Sequence, residues 1–67
     1  MTKLTARERQ VMFYLCKGWS NKEIAAKLGI GHRTIESHRD NILNKQRCRN
    51  VVELVRKVYD IPEEVEA

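Results

Sequence analysis

Sixty-seven residues, 42% of them hydrophobic, suffice for one small domain with a modest, mainly aliphatic core, which argues against wholesale disorder. Two cysteines cannot build a disulfide scaffold, no apolar run approaches the roughly 18 residues that would span a bilayer, and Met1–Arg7 lacks the oily centre of a signal peptide, so a cytoplasmic domain without membrane partners is expected. Charge is uneven: residues 1–50 carry eleven Lys and Arg against four acids, while residues 51–67 carry two against five, a basic body that points to a polyanionic partner, nucleic acid before membrane.

In chain order, Thr5-Ala6-Arg7-Glu8 is a capping box, and it opens a helix predicted over residues 6–17. Val11, Met12, Leu15 and Cys16 form its apolar stripe, and Phe13 and Tyr14 widen the apolar surface. Gly18 is the expected stop, in a left-handed turn, and Trp19 is expected to plug the core beyond it. Ser20-Asn21-Lys22-Glu23 is a second capping box and starts a short helix over 21–28, with Ile24, Ala25 and Leu28 inward and Gly29 ending it. Ile30 is expected to pack back on that helix, and Gly31 leads into a third helix over 32–46. Two helices joined by a three-residue, glycine-containing turn are the helix-turn-helix signature, whose second helix enters the DNA groove.

That third helix has two unlike faces at 100° per residue. Ile35, Ile42 and the stem of Gln46 lie on one, flanked by His38 and Arg39; Arg33, Glu36, Ser37, Asp40 and Asn44 lie on the other. Ser, Asp and Asn are weaker helix formers than the Lys, Glu and Gln that a merely solvated face could use, and the set present suits hydrogen bonding to base edges. Arg47-Cys48-Arg49 then forms a basic connector, and Asn50-Val51-Val52-Glu53 caps a fourth helix over 51–60. Val51, Leu54 and Val58 make one face of it; Val52, Val55 and Tyr59 make a second apolar strip, more than a small solvated helix needs. Ile61-Pro62 is expected to end this helix, leaving residues 62–67 as a frayed acidic tail. The prediction is a single all-α domain over residues 1–67.

The blocks L-T-A-R-E-R-Q-V, G-W-S-N-K-E-I-A-A-K-L-G-I, R-T-I-E-S-H-R-D-N-I-L-N-K and N-V-V-E-L-V resemble the DNA-binding domain of LuxR-type and FixJ-type transcriptional regulators over about residues 4–58. R-T-I-E-S-H-R is nearest the response-regulator branch of two-component systems, in which a receiver domain precedes this one. The resemblance implies four helices, a helix-turn-helix made by the middle two, and dimerisation on promoter DNA through the last, here Val52, Val55, Arg56 and Tyr59. It implies base reading by Glu36, Ser37 and Asp40. Phosphate contacts fall on Asn21, Lys22, Arg33, Thr34, His38, Arg39, Asn41 and Lys45, with RNA polymerase as a further partner. Two departures are Gly31, where the family usually has a Ser cap, and Gln46, where a core Leu is usual; the second would cost about 1–3 kcal/mol at a buried position.

Other functions find less support. His32 and His38 sit on different faces without a paired acid or nucleophile, so no catalytic array is expected. Neither they nor Cys16 and Cys48 have zinc-site spacing, and no glycine-rich phosphate loop is present, so no metal, cofactor or small-molecule ligand is expected. The rival readings are a promoter-binding domain like region four of a sigma factor, and a helical protein-interaction module that has lost DNA binding, which Glu36 and Asp40 would suit. Since nothing in the chain senses a signal, Met1 is expected to mark the start of a C-terminal fragment. With one short apolar strip, the isolated domain is expected to be monomeric off DNA.

Overall fold

The computed structural model describes residues 3–59, which form four helices: α1 (Ala6–Cys16), α2 (Asn21–Leu28), α3 (His32–Gln46) and α4 (Val51–Tyr59). Each boundary follows from local chemistry. Thr5 Oγ1 accepts from the Glu8 amide while the Glu8 carboxylate accepts from the Thr5 amide, and Ser20 and Glu23 repeat this reciprocal pair at α2. At the far end of α1, Gly18 takes φ +88°, and the Trp19 amide returns to the Tyr14 carbonyl at 3.1 Å, a Schellman closure. Gly29, at φ +65°, lets the Ile30 amide reach the Ala25 carbonyl in the same way.

The cap of α4 departs from the expected box. Asn50 Oδ1 accepts from the Glu53 amide, but the Glu53 carboxylate returns to the Arg49 amide rather than to that of Asn50. The reason is electrostatic: the Arg49 guanidinium holds the other carboxylate oxygen at 2.7–2.8 Å and draws the group one residue back. These contacts hold the Glu53 carboxyl below its ordinary range. At α3, Gly31 supplies no side-chain cap, and the first turn carries no acid.

The core is small and aliphatic. Val11 and Leu15 of α1, Ile24 of α2, Ile35 and Ile42 of α3 and Leu54 of α4 are buried, so all four helices meet in one cluster. Trp19 packs against it half-buried, its ring centroid 4.6 Å from that of Tyr14. Cys16 and Cys48 are half-buried free thiols, and burial pushes the Cys16 thiol up, keeping it protonated.

Packing decides the exposure of three side chains. Phe13 stays exposed, touched by the edge of Tyr14 and by Lys17 Nζ 4.7 Å from its ring centroid. Val58 is 43% exposed, because α4 docks through Val51 and Leu54 and its last turn leaves the core. Gln46 is half-buried, so the full penalty of a polar core residue does not apply. The expected helix stop at Ile61-Pro62 and the 62–67 tail lie outside the described residues.

The turn after α3 carries strain. Arg47 sits at φ +56°, ψ +43°, the left-handed conformation glycine occupies after α2, while the Cys48 amide closes on the Leu43 carbonyl at 2.9 Å. Arg47→Gly is expected to remove the Cβ clash and raise stability by about 0.5–1 kcal/mol net of the added chain entropy, read as a higher melting temperature. An unchanged or lower melting temperature would mean that the arginine side chain contributes more than its backbone costs.

Candidate nucleic-acid interface

Ile35 and Ile42, two turns apart, anchor α3 to the core, and this rotates the opposite side of the helix outward. Arg33, Glu36, Ser37, Asp40 and Asn44 are all exposed along it. Thr34 and Asn41 are also exposed, while His38 and Arg39 are half-buried at the flanks. Glu36 is met by His32, one turn earlier, with Nδ1 3.3 Å from Oε1.

The start of α2 supplies a second strip. Lys22 is exposed and Asn21 half-buried, and the side-chain amide oxygen of Asn21, Oδ1, is enclosed without a hydrogen-bond partner among the described residues. Asn21, Glu36, Arg39 and Asp40 border an open concavity of about 400 Å³, to which the connector adds Arg49 and Asn50. Sequence reading assigns Arg49 no role, although the run Arg47-Cys48-Arg49 is the signal that a basic group stands beside the end of α3. The same guanidinium also holds Glu53.

Lys45, expected among the phosphate contacts, is drawn elsewhere. Its Nζ lies 2.7 Å from Glu8 Oε1 and 3.3 Å from the Lys3 carbonyl, on the side of α3 that packs against α1. Glu8 is 3% exposed, and its carboxyl is held below the ordinary range first by the Lys45 hydrogen bond and then by that from the Thr5 amide, against the upward pull of burial. The ion pair therefore ties the back of α3 to the cap of α1.

On α4, Val52 and Tyr59 are 61% and 58% exposed and Val55 is half-buried beside them. The strip continues into an apolar groove against the end of α1, lined by Leu15, Cys16, Val52 and Val55 with Arg56 at its edge. Among the described residues no cluster of three or more His, Cys, Asp and Glu is placed to hold a metal ion, and no helix is long and apolar enough to cross a membrane.

The sequence that builds this arrangement matches the family model of the bacterial regulatory proteins of the luxR family over residues 2–58. The chain belongs to this family. It is 47% identical over 57 residues to transcriptional regulatory protein UhpA of Escherichia coli, covering 85% of this chain and 29% of that protein. Transcriptional regulatory protein FixJ of Azorhizobium caulinodans is 47% identical over 53 residues, 79% of this chain and 25% of that protein. Fimbriae Z protein of E. coli is 40% identical over 63 residues, 91% of this chain and 30% of that protein. The chain thus spans under a third of the length of these relatives. It is a domain of the luxR family of bacterial regulatory proteins, and two of these relatives are named as transcriptional regulatory proteins.

Proposed function

We propose that this domain binds double-stranded promoter DNA sequence-specifically, with α3 lying in the major groove and two copies meeting through α4 on the DNA. The observation that carries the reading is the split of α3 into a buried pair, Ile35 and Ile42, and a continuous exposed face. That face is narrow and polar, as a groove with hydrogen-bonding base edges requires. Glu36 accepts from a cytosine amino group, Ser37 serves either donor or acceptor edges, and Asp40 accepts from a cytosine amino group or pairs with a neighbouring Arg. Asn21, Lys22, Arg33, Thr34, His38, Arg39 and Asn41 hold the phosphates, aided by the unpaired amides at the start of α2. Lys45 is left out of that set, because Glu8 holds its ammonium.

Val52, Val55, Arg56 and Tyr59 form the dimer seam. In the full-length protein, which we place in the cytoplasm, a receiver domain would precede this one and RNA polymerase would be a further partner. The 47% identity to transcriptional regulatory protein UhpA supports a role in transcription.

The test is fluorescence anisotropy of the domain on promoter fragments at two salt concentrations, where affinity should fall steeply as salt rises. Affinity indifferent to salt would favour the protein-interaction module, which Glu36 and Asp40 would suit. Arg33→Ala should weaken binding to all sequences and lower the slope of log affinity against log salt by about one. Loss confined to the preferred sequence would remove Arg33 from the phosphate set.

A further inference from the structure

Apolar exposure gathers on α4. Of the four large hydrophobic side chains exposed among the described residues, Val52, Val58 and Tyr59 belong to this helix. At 100° per residue, Val52, Val55, Arg56 and Tyr59 fall in one stripe opposite the buried Leu54. The two halves of that stripe differ. Toward the helix start, Val51, Val52 and Val55 wall an open groove of about 360 Å³ with Leu15 and Cys16 of α1, and Arg56 stands at its edge. Toward the helix end stands Tyr59, 58% exposed and outside the groove lining. One end of the face is a hollow and the other a ring.

A surface that carries both a knob and a hole fits a second copy of itself when a two-fold axis exchanges them. The midpoint of the stripe falls between Val55 and Arg56. An axis through that point, perpendicular to α4, runs the two helices antiparallel and brings residue 59 of each over residue 52 of the other. Val52 and Tyr59 lie about 10 Å apart along the helix, so the exchange carries each ring clear of its own groove and onto the other's. A parallel pairing in register would set ring on ring and leave both grooves wet.

We propose that two copies meet with α4 antiparallel, each seating its Tyr59 ring in the groove between α1 and α4 of the other, so that Leu15 and Cys16 belong to the dimer contact. The inference rests on the reading of α4 as the seam, and adds to it the occupant of the groove and the part played by α1. The hollow is at the small end of the volumes that hold an organic group, which suits one side chain rather than a helix. Its apolar walls take the ring, Arg56 at the edge lies over the ring face, and the phenol oxygen stays at the wet rim. A tyrosine seated this way is the kind of anchor on which interface affinity concentrates.

Cys16 makes the groove testable, because its thiol is free and half-buried there. With Cys48→Ser removing the other thiol, alkylation of Cys16 should be about tenfold slower on a duplex carrying two half-sites than on one carrying a single half-site, as for a group reached only when the pair opens. The reaction is run at mildly alkaline pH, since burial keeps this thiol protonated. In a second protein, Tyr59→Cys with Cys48→Ser, a bifunctional thiol reagent about as long as the tyrosine side chain should give a covalent dimer on two half-sites. Adding Cys16→Ser should abolish that dimer. Thermal melts of each variant establish that it is folded.

The proposal is overturned if Cys16 reacts equally fast on the two duplexes, or if no covalent dimer forms. Slow reaction on both duplexes would assign the groove to residues 60–67 of the same chain and overturns it too. So does a covalent dimer that persists without Cys16, since the two introduced thiols then lie against each other, as parallel helices would place them. The arms separate the two claims. Paired-site binding lost in Tyr59→Glu beside an unprotected Cys16 keeps α4 as the seam and removes only the seating of the ring. A wild-type domain that binds two half-sites no better than one removes the seam and the proposal together.

Discussion

Glu8→Ala is expected to lower the unfolding free energy by about 3 kcal/mol, the lower end of the range for removing one partner of a buried ion pair. The lower end applies because the Lys45 side chain is 24% exposed and its ammonium can reach water once its partner is gone. The substitution also deletes the return half of the capping box on Thr5, which by itself is worth about 1 kcal/mol. At roughly 0.05–0.15 kcal/mol per residue a domain of this size has few kcal/mol to lose, so the variant should be marginally folded at room temperature. Urea denaturation followed by circular dichroism measures the loss. Glu8→Gln separates the two contributions, because its amide oxygen can still accept from Thr5 but no longer carries charge; it should lose about half as much. Equal stability of all three proteins would show that the pair contributes nothing net.

The same contact has a pH signature. Because the Glu8 carboxyl is held below its ordinary value of 4.5, chiefly by Lys45, the folded state favours its ionised form. The stability it contributes is present in full above the unfolded value and is lost as pH falls through the lower folded value. The gap between wild type and Glu8→Ala should therefore be widest near neutrality and begin to close below about pH 4.5. A gap independent of pH would assign the loss to packing alone.

Tyr59→Glu is expected to cut affinity for paired half-sites by about 10- to 100-fold and to leave binding to a single half-site nearly unchanged. Tyr59 is 58% exposed, so the fold should tolerate the substitution within about half a kcal/mol. In the proposed seam the change removes the burial of a large ring, worth roughly 1.5–3 kcal/mol, and places a carboxylate among Val52, Val55 and their counterparts. Anisotropy on duplexes carrying one and two half-sites measures both affinities. Equal loss on the two would move the seam away from α4 and imply damage to the domain itself.

Much of the fold was legible in the chain because its punctuation is local. Thr5/Glu8, Ser20/Glu23 and Asn50 mark helix starts through bonds spanning three residues, and Gly18 and Gly29 mark ends through a backbone conformation they adopt freely. The exposed face of α3 was legible for a similar reason: once Ile35 and Ile42 are taken as buried, helical periodicity alone places Glu36, Ser37 and Asp40 outside. Arg47 was not legible as the left-handed residue after α3, since nothing but the closing of the chain onto α4 demands that conformation from an arginine.

The amino-acid sequence by itself determined four helices, their limits to within a residue wherever the structure describes both ends, and the side of α3 that faces outward, because caps and periodicity act over three to seven residues. The tertiary structure alone decided the partners of the charged groups. Lys45 looks like one more cation on a basic helix until folding brings Glu8, 37 residues earlier in the chain, to 2.7 Å from it. A side chain's charge is written in the sequence, but the field that charge meets is made by residues from other elements.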